Sequence, residues 1–311
     1  MKILVTGGAG FIGSHMVDSL INLGHQVIVV DNLYSGKREN VNSKANFYHI
    51  DITHLAELER IFEEERPQIV FHLAAHASVS SSIKKPSFDA NINILGTINV
   101  LECCIKYGVK KIIYSGSCAV YGNPNEIPIK ETHPLQPISP YGLSKLVIEK
   151  YIQLYHLMYN LDYTIFRYAN VYGPRQDSSN EGGVIAIFIN KILNNEPILV
   201  FGDGNQIRDW IYVKDIVDAN IGAIQNNHND IFNVGQGIGK TLNELILELK
   251  KINSKEFRVV YEKERKGEIK KSVLDSSKLF NGGFSLAYNL EKGIKETWDY
   301  FLKQKNCKSI F

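Results

Sequence analysis

The stretch Lys2-Ile3-Leu4-Val5-Thr6-Gly7-Gly8-Ala9-Gly10-Phe11-Ile12-Gly13 decides the fold of this chain. Residues 3–5 form a short apolar run that is typical of a buried strand. Three glycines follow, and apolar residues then recur at helical spacing. Glycine permits a tight turn and a close approach to the backbone, and the helix that follows directs free N–H groups toward a phosphate. Strand, glycine turn and helix in this order predict a diphosphate cradle; the alternative is an ordinary strand–loop–helix corner.

The bulk composition excludes several classes of protein. The chain has 311 residues and a formal net charge of +2, so its charge favours neither nucleic acid nor an anionic membrane as a partner. The cysteines lack zinc-ligand spacing, so we expect reduced thiols in a cytoplasmic protein and no metal site. Glycines interrupt the first apolar run, so we expect no signal peptide, and no run reaches the roughly 20 residues that span a bilayer.

Apolar runs alternate with helical patterns along the first half of the chain. This alternation predicts an α/β protein with a Rossmann-type, doubly wound parallel sheet. The rhythm stops near Asn170. We therefore predict a dinucleotide-binding domain over residues 1–169, with a returning segment near 208–226, and a smaller C-terminal α/β substrate lobe over 170–311. The predicted strands cover residues 3–5, 26–30, 47–50, 69–73, 111–114 and 161–167, and the predicted helices cover 55–65, 86–107 and 141–159.

Acidic residues follow two of the predicted strands. Asp31 lies 18 residues after Gly13, about where a dinucleotide fold places the carboxylate that binds the ribose 2′-hydroxyl. A carboxylate there repels a 2′-phosphate, so NAD is favoured over NADP; the alternative is an Asp that caps a turn. Asp51 could accept from the adenine amino group with Ile52 against the ring, or it could belong to an ordinary turn. Four strand ends are expected to converge on one cleft: Asp31, Ala74, Ser115 and Asn170.

A second cluster carries the chemistry. Ser115 and Ser117 end a predicted strand, and Tyr141 and Lys145 are four residues apart, so they share one face of a helix. An ammonium beside the phenol is expected to lower the pKa of Tyr141 from about 10 and make it a general base. A serine hydroxyl could share the proton. The Tyr-x-x-x-Lys pattern is common by itself, but here it accompanies a glycine cradle and a serine-rich strand end.

Over nearly its whole length the chain resembles the extended short-chain dehydrogenase/reductase superfamily and, within it, the UDP-glucose 4-epimerase family. The resemblance implies NAD-dependent inversion at C4 of a UDP-hexose through a transient 4-keto sugar. The implied enzyme is an isomerase of galactose metabolism. The motifs that carry it are residues 6–13, Asp31-Asn32, Asp51-Ile52, His72-Leu73-Ala74-Ala75, Asn93-Ile94-Leu95-Gly96-Thr97, Ala119-Val120-Tyr121-Gly122, Tyr141-Gly142-Leu143-Ser144-Lys145 and Arg208-Asp209-Trp210-Ile211-Tyr212-Val213-Lys214-Asp215.

The resemblance also implies the site residues. The catalytic group is Ser117, Tyr141 and Lys145. The NAD-binding residues are Gly7, Gly10, Phe11, Ile12, Gly13, Asp31, Asn32, Asp51, Ile52, Leu73, Ala74, Ala75, Asn93, Ser115, Tyr141, Lys145 and Tyr168. The substrate-binding residues are Ser117, Asn170, Val184, Phe201, Arg208, Arg265, Glu268 and Ser272. Guanidinium groups bind a diphosphate by paired hydrogen bonds, although Arg208 could instead form a surface ion pair with Asp209.

Departures from the family's other members narrow the activity. Sugar-nucleotide dehydratases carry an Asp-Glu pair where this chain has Cys118 and Ala119, which cannot move a proton from C5. The resemblance implies that the position limiting the family's sugar pocket falls on Ser272. Its small side chain would admit a 2-acetamido group, so UDP-GlcNAc and UDP-GalNAc are expected substrates beside or instead of UDP-Glc and UDP-Gal. As in relatives, we expect a homodimer. The alternatives are another nucleotide-sugar epimerase, such as a UDP-glucuronate 4-epimerase, and a non-catalytic NAD-binding regulatory protein.

Overall fold

The computed structural model describes residues 1–179, 182–225, 229–253, 256–264 and 269–308. Internal contacts divide the chain into two compact units. Unit 1 comprises Met1–Gly122, Pro134–Tyr168 and Val217–Asn233; unit 2 comprises Asn123–His133, Ala169–Ile216 and Val234–Phe311. Residues 123–133 therefore group with unit 2, and the returning segment begins later than the sequence suggested. The ligand predicted for each lobe stays a prediction.

The secondary structure alternates between strands and helices through most of unit 1. The strands are β1 (Lys2–Thr6), β2 (Gln26–Asp31), β3 (Asn46–His49), β4 (Ile69–His72), β5 (Lys111–Ser117), β6 (Asp162–Tyr168), β7 (Asn170–Tyr172), β8 (Ile198–Phe201), β9 (Ile207–Tyr212), β10 (Asp230–Val234), β11 (Gly239–Thr241), β12 (Val259–Glu262) and β13 (Lys271–Ser272). The helices are α1 (Phe11–Asn22), α2 (Leu55–Glu65), α3 (Val79–Lys84), α4 (Pro86–Ala90), α5 (Gly96–Lys106), α6 (Pro140–Tyr159), α7 (Val184–Leu193), α8 (Val213–Gly222), α9 (Leu242–Ile252), α10 (Ser277–Asn281) and α11 (Leu290–Lys308).

Among the described residues, seven strands form one sheet in the order β10-β6-β5-β4-β1-β2-β3. The pairs β2–β3, β1–β2, β1–β4, β4–β5 and β5–β6 are all parallel. The predicted Rossmann-type sheet is confirmed, and β10 adds a strand that the sequence pattern did not reveal. Strand order reverses between β1 and β4, which is where doubly wound folds bind their ligands.

The glycine turn after β1 is packed against the chain that follows β4. Gly7 has a φ of +71°, and a Cβ there would lie 2.7 Å from the Ala74 nitrogen. A Cβ on Gly13 would lie 2.1 Å from the Gly7 carbonyl oxygen. Because both neighbours are backbone, they cannot move aside as a side chain could. These glycines therefore let α1 begin directly above the end of β1.

The helix predicted over residues 86–107 is helical throughout but not uniformly α. α4 and α5 are separated by a π-helical turn over Asn91–Leu95. A π turn adds one residue to the helical repeat, and such turns occur mostly at functional sites. Here it includes Asn93, which is 2% exposed. The helix predicted over residues 55–65 is confirmed as α2.

The core of unit 1 lies where α2, α5 and α6 cover the sheet. Buried apolar residues such as Phe62, Leu101 and Ile148 pack together there with the central strands. Burying one such side chain contributes roughly 1.5–3 kcal/mol. Ile148 is fully buried, so it belongs to this core and not to the exposed face of α6.

Unit 2 is organised around β9. In the described part of unit 2, β9 pairs with β11, β13 and β7, and β8 pairs with β12 in a separate two-stranded sheet. Asp209 on β9 is fully buried and accepts hydrogen bonds from the backbone N–H groups of Gln236 (2.8 Å), Gly237 (3.2 Å) and Leu274 (3.2 Å). This buried carboxylate ties the loops after β10 and β13 to β9.

Within the described residues, no helix is both long enough and apolar enough to cross a membrane. The four cysteines, all in that same part of the chain, form no disulfide.

The packing of the glycine turn predicts a large difference between two Gly→Ala substitutions. Gly13→Ala should lower the free energy of unfolding by about 1–3 kcal/mol, because its methyl group would overlap backbone atoms. Gly222→Ala is the matched control. It lies on α8, and beyond its own helix no heavy atom of the described residues lies within 4 Å of the place that its methyl group would take, so it should be neutral or slightly stabilising. Urea unfolding of both variants measures this, and equal stabilities would contradict the packing described for the turn.

Candidate active site

The end of β5 supplies two serines on one face of the sheet. The Ser115 hydroxyl lies 3.1 Å from the Tyr168 hydroxyl, and its carbonyl oxygen accepts a hydrogen bond from the Lys145 ammonium at 2.9 Å. Ser117 begins the 3-10 turn that follows, and its hydroxyl accepts from the N–H of Ala119 at 3.2 Å. Residues two apart on a strand point the same way, so both serines face the same side.

Helix α6 begins where its sequence provides a cap. Ser139 accepts a hydrogen bond from the N–H of Gly142 at 3.1 Å, and Pro140 occupies the first helical position, which its ring favours. The hydroxyl of Ser82 accepts from the N–H of Tyr141 at 3.2 Å. These contacts fix the first turn of α6, and they place Tyr141 and Lys145 one turn apart on one face.

Lys145 is 4% exposed, and its ammonium lies over the Tyr114 ring at 4.8 Å from the centroid. Burial lowers the pKa of Lys145 to about 8, and the negative charges of Asp89 and Glu149 act in the opposite direction. The lysine is therefore held near the point where it could lose its proton at physiological pH. The prediction that Lys145 shares a site with Tyr141 and the serine-rich strand end is consistent with this geometry.

The predicted direction of the Tyr141 pKa shift is wrong for this structure. Burial raises the pKa of Tyr141 to about 12, and the hydrogen bond with Ser117 only partly offsets it. The Lys145 ammonium lies 5.9 Å from the centre of the Tyr141 ring, and it donates instead to the carbonyl of Ser115. Ser117 is therefore the group whose hydrogen bond favours the phenolate here.

A buried ion pair lies beside the site. Arg167 on β6 binds Glu149 on α6 through two nitrogens, at 2.9 Å and 2.6 Å, and both side chains are at most 2% exposed. Arg167 also donates to the Tyr121 hydroxyl at 2.8 Å, which in turn donates to Asn233 at 2.7 Å. A bidentate pair with satisfied hydrogen bonds is the arrangement in which buried charges are tolerated.

His72 connects three elements at the strand end. Its Nδ1 lies 2.7 Å from the Thr6 hydroxyl and its Nε2 lies 2.8 Å from the Thr97 hydroxyl. Burial lowers the pKa of His72 to about 3, and the nearby Lys145 charge adds to this. The imidazole is therefore neutral near pH 7 and joins β1, β4 and α5 by hydrogen bonds without adding positive charge.

The predicted dinucleotide cradle fits a diphosphate. α1 begins after Gly10, which has no side chain to cap it, and the N–H groups of Phe11 and Ile12 have no acceptor among the described residues. Open N–H groups at a helix N-terminus bind anions. The Asp31 carboxylate accepts from the N–H of Ala9 at 2.9 Å and of Leu33 at 2.8 Å, which places a negative charge beside the turn.

The other residues predicted to bind NAD lie in unit 1, in different environments. Asp51 accepts from Asn32 at 2.7 Å, while the Ile52 side chain is 5% exposed and packs in the core. Tyr168 is 5% exposed, and its hydroxyl also bonds to Asn220. Leu73, Ala74 and Ala75 are partly buried at the end of β4. Their contacts with a cofactor stay predictions.

Three residues predicted to bind substrate come together on the sheet of unit 2. Ser272 on β13 is in register with Arg208 on β9, and Asn170 on β7 is in register with Trp210 two residues along. Arg208 and Asp209 point to opposite faces of β9, as successive strand residues do. Because Asp209 accepts from backbone N–H groups, its carboxylate is already satisfied without Arg208.

For the remaining residues predicted to bind substrate, the structure gives only their position and burial. Val184 begins α7 and Phe201 ends β8, and both are partly buried. Arg265 and Glu268 lie outside the described residues. Whether Asn170 converges on one cleft with Asp31, Ala74 and Ser115 stays a prediction.

Sequence reasoning missed Asp89 and His76. Asp89 is 1% exposed and lies one helical turn before Asn93, a residue predicted to face the cofactor. The His76 Nδ1 lies 3.4 Å from an Asp89 oxygen. The spacing of Asp89 and Asn93 was a usable signal, because residues four apart share a helix face. No pattern around His76 indicated its place.

Comparisons with known proteins agree with this fold. A family model described as the NAD dependent epimerase/dehydratase family matches residues 3–235. A putative UDP-glucose 4-epimerase of Methanocaldococcus jannaschii is 45% identical over 305 residues, which cover 98% of this chain and 99% of that protein.

Solved structures of two similar proteins have the same fold. The crystal structure of a UDP-glucose 4-epimerase from Thermotoga maritima with UDP-glucose has a TM-score of 0.96 and 49% identity, and the match covers 98% of this chain and 100% of that one. A UDP-N-acetylglucosamine 4-epimerase from Methanobrevibacter ruminantium M1, in complex with UDP-N-acetylmuramic acid, has a TM-score of 0.93 and 40% identity, with 97% and 98% coverage.

Proposed function

The chain belongs to the NAD dependent epimerase/dehydratase family, and from that premise we propose that it is a UDP-sugar 4-epimerase that uses bound NAD. The observation that carries the proposal is the arrangement in unit 1 of Ser117, Tyr141 and Lys145 at the end of β5 and the start of α6. The names of the relatives support the same reaction.

The chain's own residues handle the proton of the sugar 4-hydroxyl. The Tyr141 phenolate takes this proton as C4 is oxidised, and the phenol returns it to the 4-keto sugar from which the inverted alcohol forms. Ser117, hydrogen-bonded to Tyr141, stabilises the phenolate and orients the sugar hydroxyl. Lys145 places a positive charge beside the ring.

NAD fits the cradle of unit 1. Gly7, Gly10 and Gly13 leave room for the diphosphate at the start of α1, and Asp31 would accept from the adenosine ribose hydroxyls. When bound, NAD supplies the hydride acceptor for C4 and a positively charged ring that favours the Tyr141 phenolate. The Asp31 carboxylate would repel the extra phosphate of NADP, so NAD is the cofactor.

For the substrate, the residues of unit 2 supply the contacts to the nucleotide. Arg208 neutralises the diphosphate. Because the net charge of the chain is only +2, the positive charge that binds this group has to be local. Asn170 donates to the same group, and Ser272 lines the sugar pocket. The small side chain of Ser272 admits both hexoses and N-acetylhexosamines.

Two other functions remain distinguishable by experiment. A UDP-glucuronate 4-epimerase would need an additional basic side chain for the C6 carboxylate, and the sequence does not identify one. A regulatory NAD-binding protein would not need the proton-handling set of Ser117, Tyr141 and Lys145.

The activity itself is tested with purified protein, added NAD and five substrates, namely UDP-Glc, UDP-Gal, UDP-GlcNAc, UDP-GalNAc and UDP-glucuronate. Tyr141→Phe should lower kcat by about 10²–10⁴-fold, because it removes the group that carries the proton. Tyr261→Phe, a 54% exposed tyrosine on β12, is the matched control and should keep full activity. No turnover of any substrate by the wild type, or full turnover by Tyr141→Phe, would contradict the proposal.

Sugar preference is tested at Ser272. Ser272→Tyr should lower kcat/KM for UDP-GlcNAc by about 10–100-fold while sparing UDP-Glc and UDP-Gal, because the larger side chain would occupy the space of the acetamido group. The hexose assay serves as the internal control for folding, since Ser272 is 7% exposed. Equal losses on both sugar classes would count against this role.

We also propose that two copies of the chain pair through α6. Leu154, Leu157 and Met158 lie on one face of α6 and are 45%, 82% and 57% exposed, and Leu95 after α4 is 49% exposed. Apolar side chains grouped in this way favour a protein partner, and a second copy would cover them with the same face in a four-helix arrangement.

Leu157→Glu tests this pairing, because two copies of the new charge would be buried at a twofold interface. The variant should be monomeric by light scattering coupled to size exclusion. Leu247→Glu on α9 is the control, as Leu247 is 55% exposed and lies in unit 2. A monomeric wild type, or a dimeric Leu157→Glu, would rule out this interface.

A further inference from the structure

Asp89 is a buried carboxylate that the proposed reaction does not use. It lies on α4 and is 1% exposed. Its Oδ1 accepts a hydrogen bond from the Asn93 amide at 3.0 Å and lies 3.4 Å from His76 Nδ1. Its Oδ2 has no hydrogen-bond partner in the described structure. Burying a carboxylate oxygen without a hydrogen-bond partner costs folding free energy, which suggests that this residue has a function.

The hydrogen bonds of Asp89 lead to the start of α6. The Asn93 amide that binds Asp89 also lies 3.1 Å from the Ser144 hydroxyl, and Ser144 donates to the carbonyl of Tyr141 at 2.9 Å. The Asn93 oxygen accepts from the N–H of His76 at 2.8 Å, which fixes its orientation. Asp89 is thus connected to the turn that carries Tyr141 and adjoins Lys145.

The charges around Lys145 can be assigned element by element. His72 on β4 is neutral near pH 7, and Tyr114 on β5 and Tyr141 on α6 have raised pKa values, so they carry no charge there. Glu149 on α6 is paired with Arg167 on β6. On α4, an Asp89 oxygen lies 3.4 Å from His76 Nδ1. Of the charges that raise the pKa of Lys145, that of Asp89 has the largest effect.

We propose that Asp89 is a positioning residue for the Tyr141–Lys145 pair: it holds the first turns of α6 through Asn93 and Ser144, and it supplies the negative charge that keeps the buried Lys145 ammonium protonated. The kinetic consequences of this proposal rest on the proposed function, but the titration of Lys145 does not.

The direction of the effect follows from the charge. Burial already lowers the pKa of Lys145 from 10.5 to about 8. Removing a nearby negative charge disfavours the ammonium further, so the pKa of Lys145 falls again. Lys145 then loses its proton at a lower pH, and the alkaline limit of activity moves to lower pH with it.

The direct test follows the Lys145 titration by NMR in protein with ¹³C-labelled lysine, purified with its cofactor, with the resonance assigned by its loss in Lys145→Met. Asp89→Asn keeps the shape of the side chain and removes the charge. Its Lys145 midpoint should lie at a lower pH than that of the wild type. An unchanged midpoint would overturn the proposal, whether or not the protein is an epimerase.

Asp162→Asn is the matched control. Asp162 begins β6, at the opposite end of that strand from the site, and accepts from the Asn229 amide at 2.9 Å. Its removal should leave the Lys145 midpoint and the activity unchanged; a midpoint shift equal to that of Asp89→Asn would also overturn the proposal. If thermal unfolding shows that Asp89→Asn is not folded, Asp89→Ser removes the same charge with a smaller side chain.

Kinetics supply a second readout that a purely structural role would not move. In Asp89→Asn, kcat should fall on the alkaline side, about tenfold for each unit by which the pKa of Lys145 falls, and recover toward the wild-type value near pH 6.5. KM should stay within about twofold. A loss of kcat that is equal at all pH values would refute the charge role, whereas absence of activity in the wild type would refute only the proposed function.

Discussion

The site depends on keeping the Lys145 ammonium charged while it is almost out of water. An isolated buried ammonium would lose its proton rather than bear the cost of desolvation. The carbonyl oxygen of Ser115 accepts a hydrogen bond from the ammonium at 2.9 Å, and the centroid of the Tyr114 ring lies 4.8 Å away. These contacts require the end of β5 and the second turn of α6 to meet at one place. The positions of Ser117 and Tyr141 follow, because they are fixed to the same two elements.

The surrounding polar groups are arranged so that few net charges compete with Lys145. Glu149 and Arg167 neutralise each other in a buried bidentate pair. His72 remains neutral and serves as a hydrogen-bonded link between Thr6 and Thr97. A protonated histidine so close to Lys145 would oppose its charge. The scaffold thus stabilises the strand ends with neutral hydrogen bonds and adds no positive charge there to oppose that of Lys145.

How much the sequence predicted depended on how local each signal was. The glycines at 7, 10 and 13 and the bounds of α2 were predictable, because turn chemistry and apolar spacing act over a few residues. The π turn at Asn91–Leu95 and the seventh strand, β10, were not, because each depends on packing against distant segments. The shift of the Tyr141 pKa was predicted in the wrong direction, since adjacency on a helix gives no measure of burial.

In the proposed reaction, the phenol of Tyr141 moves only the hydroxyl proton, while the hydrogen on C4 leaves and returns as hydride without exchanging with solvent. The most direct measurement is epimerisation of UDP-galactose carrying deuterium at C4, followed by NMR or mass spectrometry of the UDP-glucose formed. We predict that the product keeps its deuterium at C4 and that unlabelled substrate gains none in D₂O. Exchange of the C4 hydrogen with solvent would contradict this account.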